Sequence, residues 1–238
     1  MTGKQSSAHG ECASGKDLNP LVGIRGTRGG MCAASPTNSA WFPACFAGVT
    51  KPVIGMVHAP PLPGSPRYGG DPEAARDAML RDAEALVKGG IDGLLLENFG
   101  DAPFWPRRVP AATVAHMTAL AAELKRRFRV PLGINVLRND GQSALAIAAA
   151  VGAQFIRVNV LCGARLTDQG LLEGIAAKLL RDRAALGASV VKIFADVNVK
   201  HSAPLAARPL DDEARELVER GGADGLIVTG PSTRASAH

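Results

Sequence analysis

From Lys51 onward, short apolar runs alternate with longer amphipathic stretches, the pattern of successive βα units on a parallel sheet. The apolar runs predict strands over 52–58, 93–97, 132–136, 155–160, 190–197 and 225–228. Between them the polar spacing predicts five helices. The first is capped by Asp71, has Pro72 at its first position and Glu73 just inside, and stops at Gly89-Gly90. The others are expected over about 110–128, 142–151, 168–186 and 211–220. The fold class this predicts is α/β, a parallel (β/α) TIM-type barrel with about six of eight βα units present.

An internal echo supports that reading. The segments starting at Gly89, Val151 and Gly221 each run from a helix stop straight into a buried strand, about two βα units apart. A doubly wound dinucleotide fold is disfavoured, because no G-x-G-x-x-G follows the first strand. Residues 1–50 are rich in Gly, Ser, Ala and Thr without apolar periodicity; they are expected to be a disordered or misassigned leader, with translation starting near Met31 or later as one explanation. Residues 51–230 form the expected incomplete barrel, and 231–238 an irregular tail. Six strands are two short of closure, so the sequence suggests a C-terminally truncated product.

Composition narrows the function classes. Of 238 residues, 46% are hydrophobic but only 4% aromatic, so the core must be aliphatic, as in buried parallel sheets. The net charge of +5 comes without a dense basic stripe, which argues against nucleic acid and leaves small anions as partners. Cys12, Cys32, Cys45 and Cys162 form no CxxC pair, so neither a zinc site nor a disulfide framework is expected. No apolar run is long enough to cross a bilayer. A cytoplasmic location is the simplest expectation. Neither a cofactor nor a metal is called for, and a homo-oligomer stays open.

In such a barrel, polar residues at the C-terminal ends of strands converge on one mouth. Those expected there are His58, Glu97, Asn98, Asp101, Asn135, Arg138, Asn139, Asp140, Arg157, Asn159, Asp196, Asn198, Lys200, His201 and Thr229. Arg157 and Asn159 share strand parity and should point inward, where a buried arginine needs a carboxylate from Glu97 or Asp196. Asp196, Glu97 and His201 are the candidates for acid/base chemistry. His58, Asn98, Asp101, Asn135, Arg138, Asp140, Arg157, Asn159, Asn198 and Lys200 are the candidates for binding substrate. Lys192 has the right parity but sits too low for the mouth. The proline-rich loop after His58, with Arg67 and Tyr68, is either a lid or a plain connection.

Several segments resemble the BtpA family, which includes SgcQ-type relatives found with sugar-metabolism genes. They are Val53-Ile54-Gly55-Met56-Val57-His58 with Pro60-Pro61-Leu62-Pro63-Gly64-Ser65-Pro66, Glu97-Asn98-Phe99-Gly100-Asp101-Ala102-Pro103-Phe104, and Asn135-Val136-Leu137-Arg138-Asn139-Asp140. Phe155-Ile156-Arg157-Val158-Asn159-Val160, Thr167-Asp168-Gln169-Gly170 and Ala195-Asp196-Val197-Asn198-Val199-Lys200-His201 continue the match. The resemblance implies a TIM-type barrel and, for photosynthetic members, a role in accumulating photosystem I; it supplies no settled reaction. It departs from the family at Thr229-Gly230-Pro231-Ser232-Thr233-Arg234. Three functions compete: an enzyme acting on a small anionic, sugar-phosphate-like molecule by lyase- or isomerase-type proton transfer; a photosystem I biogenesis factor, peripherally attached to the membrane in a photosynthetic source only; and a non-functional truncated product.

Overall fold

The computed structural model describes residues 45–46 and 48–230. Six strands, β1 (Ile54–His58), β2 (Gly93–Glu97), β3 (Leu132–Asn135), β4 (Phe155–Val158), β7 (Lys192–Val197) and β9 (Gly225–Val228), form one parallel sheet in chain order. Helices α1 (Pro72–Lys88), α2 (Ala111–Arg127), α3 (Gly141–Val151), α4 (Ala176–Ala185) and α5 (Leu210–Glu219) alternate with them. Strand neighbours that follow the chain order, each pair joined through a helix, make the α/β sheet of a TIM-type barrel. Among the described residues β1 and β9 each pair on one side only.

Local chemistry sets the helix ends. Asp71 accepts from the backbone N–H groups of Glu73 and Ala74, both at 3.0 Å, so α1 begins where the cap and Pro72 require. Gly152, at φ 68°, ends α3 in a left-handed turn that a residue with a β-carbon adopts only under strain.

The sheet buries both faces, against different partners. Its outer face, including Leu94, Leu96, Ile134, Ile156, Ile193 and Ala195, packs on Met79, Ala83, Met117, Ala121, Leu145 and Leu179 of the helices. Its inner face carries a smaller cluster of Phe46, Leu95, Phe155 and Phe194. Three glycines make room for these rings. A β-carbon on Gly93 would lie 2.7 Å from the Phe46 ring, one on Gly133 2.1 Å from Phe155, and one on Gly225 2.8 Å from Phe194. Gly133 pairs with Phe155 and Gly225 with Phe194 in the sheet register, so each of those rings lies across its own partner glycine.

Two expectations change. Residues 168–186 do not form one helix: β5 (Ala164–Thr167) and β6 (Gly170–Glu173) make a hairpin, β8 (Ser202–Pro204) joins β5, and α4 begins only at Ala176. Gly170, at φ 94°, closes a two-residue turn in which Thr167 Oγ1 accepts from Gln169 N–H and donates to the Gly170 carbonyl. The expected leader also reaches less far, since Phe46 is 2% exposed and belongs to the inner cluster. Residues 1–44 and 231–238, where a disordered leader and an irregular tail are expected, lie outside the described residues.

Candidate functional site

One pleat above the aromatic cluster, strand parity brings Glu97 of β2, Asn135 of β3, Arg157 of β4 and Asp196 of β7 onto the inner face. Arg157 joins them. Its Nε and Nη2 donate to the two oxygens of Asp196 at 2.9 and 3.0 Å, a bidentate fork, and its Nη1 donates to Glu97 Oε1 at 2.9 Å. Asn135 Nδ2 adds a bond to the same Glu97 oxygen at 2.8 Å, and Asn159 Nδ2 one to Asp196 Oδ2 at 2.7 Å. Glu97 and Asp196 are each 4% exposed, so two carboxylates share one guanidinium out of contact with bulk water.

The two acids are differently occupied. Asp196 receives three N–H donors across both oxygens. Glu97 receives both its donors on Oε1, and its Oε2 faces His58 Nε2 at 3.6 Å. Burial pushes Glu97 up, but the His58 contact, the Arg157 charge and the Asn135 bond outweigh it and hold the carboxyl below its usual range. Burial likewise opposes the charge on Arg157, and the two carboxylates reverse that and raise it. His58 is exposed on its other side and stacks on Phe99, ring centroids 4.4 Å apart. His58 thus stands between Glu97 Oε2 and the exposed side of the cluster.

Arg138 stands beside this cluster in a different state. It is 7% exposed, Nη2 donates to the Lys200 carbonyl at 2.5 Å, and its Nε has no hydrogen-bond partner among the described residues. Burial lowers its pKa, opposed by the charges of Asp168 and Asp196.

Other expected residues hold loops together. Asp140 caps α3: its Oδ1 accepts from Ser143 N–H, and its Oδ2 from Ser143 Oγ and Val109 N–H. Asn98 accepts from Leu137 N–H and donates to Asp101, which accepts from Leu62 N–H. Asn139 bridges to the backbone of Val160. Asn198 (φ 57°) accepts from Arg165, while the exposed His201 (φ 55°) lies on the loop after β7. Lys192 pairs with Asp224 at 3.2 Å, at the other end of the strands. Arg67 is exposed on the proline-rich loop, and Thr229 Oγ1 is buried without a partner among the described residues.

Sequence reasoning missed Arg165, which is 7% exposed and pairs with Glu213 of α5. Its signal was the alternation of Arg165 and Thr167 with Ala164 and Leu166 before a turn, a stretch that lies between the strand expected to 160 and the helix expected from about 168. Among the described residues no group of three or more His, Cys, Asp or Glu side chains is arranged to hold a metal. None of the described helices is long and apolar enough to cross a membrane.

Parallel strands in chain order, with charged side chains gathered on the inner face at their C-terminal ends, define an α/β protein of the (β/α)-barrel class. The family model described as "BtpA family" matches residues 49–237, and the chain belongs to that family. It is 52% identical over 183 residues to the photosystem I biogenesis protein BtpA of Synechocystis, covering 77% of this chain and 63% of that protein. The chain thus spans less than two thirds of that relative's length. An uncharacterized protein of Pyrococcus furiosus is 47% identical over 186 residues, 78% of this chain and 70% of that one. Among solved structures, 7,8-dihydropteroate synthase from Vibrio fischeri ES114 overlays with TM-score 0.46 and 19% identity, over 74% of this chain and 61% of that chain, too loosely to bear on chemistry.

Proposed function

We propose that the C-terminal rim of the strands binds a small anionic, sugar-phosphate-like molecule, with Arg138 as its charge-recognition group and Glu97 with His58 as its proton-handling pair. The observation that carries this reading is the buried Arg138 guanidinium with an Nε unpartnered among the described residues, beside an Arg157 whose three nitrogens each already bond a carboxylate. An oxyanion is the ligand that satisfies such a group, by a charge-assisted hydrogen bond. Lys200 lies on the same rim and adds a second positive charge. Asp196, fixed by three donors, positions Arg157 and leaves acid/base work to Glu97. Lyase or isomerase chemistry on a carbon next to a carbonyl is the reaction class such a pair serves.

The name of the Synechocystis relative supports a second reading, a photosystem I biogenesis role. Near-equal identity to an archaeal relative favours a role common to both.

Calorimetric titration of the full chain with inorganic phosphate and with ribose 5-phosphate tests the first reading. Arg138→Gln should weaken both by about tenfold or more, about 1.4 kcal/mol. Equal binding by the variant, or no binding by the unsubstituted chain, would remove it.

A further inference from the structure

A cavity of about 230 Å³ opens between the loop after β4, the β8 loop and α5, and Asn159 and Asp196 form part of its lining. Asn159 is 2% exposed, and its amide nitrogen is committed to Asp196 at 2.7 Å. The opposite orientation of the amide would set its oxygen against a carboxylate, so the carbonyl is the end left over. That oxygen is buried and has no hydrogen-bond partner among the described residues. It asks for a donor.

The walls say which kind. Arg165 is paired with Glu213 and Asn198, and Arg208 with Glu216, so the cations lining the cavity are neutralised by acids. A phosphate entering would meet Asp196 without an uncompensated positive charge, whereas an uncharged hydroxyl supplies a donor to Asn159 Oδ1 and displaces no ion pair. Arg138 does not line this cavity but is close enough to Asp196 to sense its charge.

We infer that this cavity is a hydroxyl subsite, in which Asn159 Oδ1 accepts a hydrogen bond from the polyol portion of a ligand whose anionic end lies at Arg138. The inference rests on the proposed anion-binding reading and adds a specificity device to it: a phosphate without hydroxyls fills only one of two subsites.

Cys162 lines the same cavity and is half-buried, which makes it a reporter. The full chain is treated with iodoacetamide at mildly alkaline pH, since burial pushes the Cys162 thiol up, and modification at each cysteine is followed by peptide mass spectrometry. Ribose 5-phosphate should slow alkylation of Cys162 several-fold, inorganic phosphate should leave it unchanged, and Cys45, which packs with the inner aromatic cluster, should be indifferent to both. Asn159→Leu should lose the protection. Ribose 5-phosphate that binds calorimetrically without protecting Cys162, or that still protects it in Asn159→Leu, overturns the subsite and leaves the Arg138 reading standing. Failure of ribose 5-phosphate and phosphate alike to bind the unsubstituted chain removes both readings together.

Discussion

Glu97 offers one oxygen to Arg157 and Asn135 and turns the other toward His58. Because its folded pKa lies below the ordinary carboxylate value, the fold gains stability from its ionisation. That contribution is fully present above the unfolded value and is lost as pH falls through the lower folded value. Glu97→Gln should therefore cost roughly 3 kcal/mol at neutral pH, the scale for removing one partner of a buried ion pair. Urea unfolding between pH 7 and pH 3 should show the two proteins converging as the medium becomes acid; a gap that stayed constant would contradict the assignment. At this scale much was legible: parity alone put Arg157 inward and named its two possible carboxylates. What parity cannot distinguish is a side chain that faces a ligand from one that ties a loop. Asp140 and Asn98 carry the same residue types as the cluster, yet their oxygens serve backbone N–H groups whose positions depend on loop paths no periodicity encodes.

The strands and helices of the parallel sheet were readable because their signals are local. Asp71-Pro72-Glu73 caps a helix wherever it occurs, and apolar runs between glycine stops make buried strands. The β5–β6 hairpin was not readable in the same way. Its strands are four residues long, only one face is covered, and its turn carries Asp168-Gln169 rather than the Asn-Gly or Asp-Gly pair that announces a two-residue hairpin. The glycines on the inner face also hid their purpose, since Gly93, Gly133 and Gly225 fall inside the predicted strands and no period says which ring lies over them. Gly133 is the sharpest test. A methyl group there would meet the Phe155 ring at 2.1 Å, with Phe194 stacked behind it at 4.9 Å. Gly133→Ala should destabilise by about 1–3 kcal/mol as an overpacked core position, while Gly69→Ala, where a β-carbon meets nothing within 4 Å, should be close to neutral. Chemical denaturation of the two variants provides the check.

Across the molecule, the outer core joins residues from β1 to α5 into one contiguous cluster, with the aromatic cluster and the ion cluster on the sheet's other face. A core continuous through every βα unit should unfold in a single step: far-UV circular dichroism and near-UV aromatic signals should share one midpoint, and separated midpoints would show that the sheet divides into independent parts. Chain order of the strands and the family were both legible from sequence; the small β6–β5–β8 sheet, which brings Arg165 toward α5, was not, because strands of three and four residues carry too little alternation to announce themselves.

Arg157 meets its two acids across separations of 60 residues back to Glu97 and 39 residues forward to Asp196. On a growing polypeptide the guanidinium is made before its second anchor, so until β7 arrives it has one of its three charge-assisted bonds, from Glu97, and lacks the bidentate pair that Asp196 accepts. The sheet is thereby assembled with a checkpoint: the step that seats the fifth strand is also the step that makes dehydrating the fourth affordable, and a chain stalled between them should hold β4 exposed to proteases that the finished protein resists.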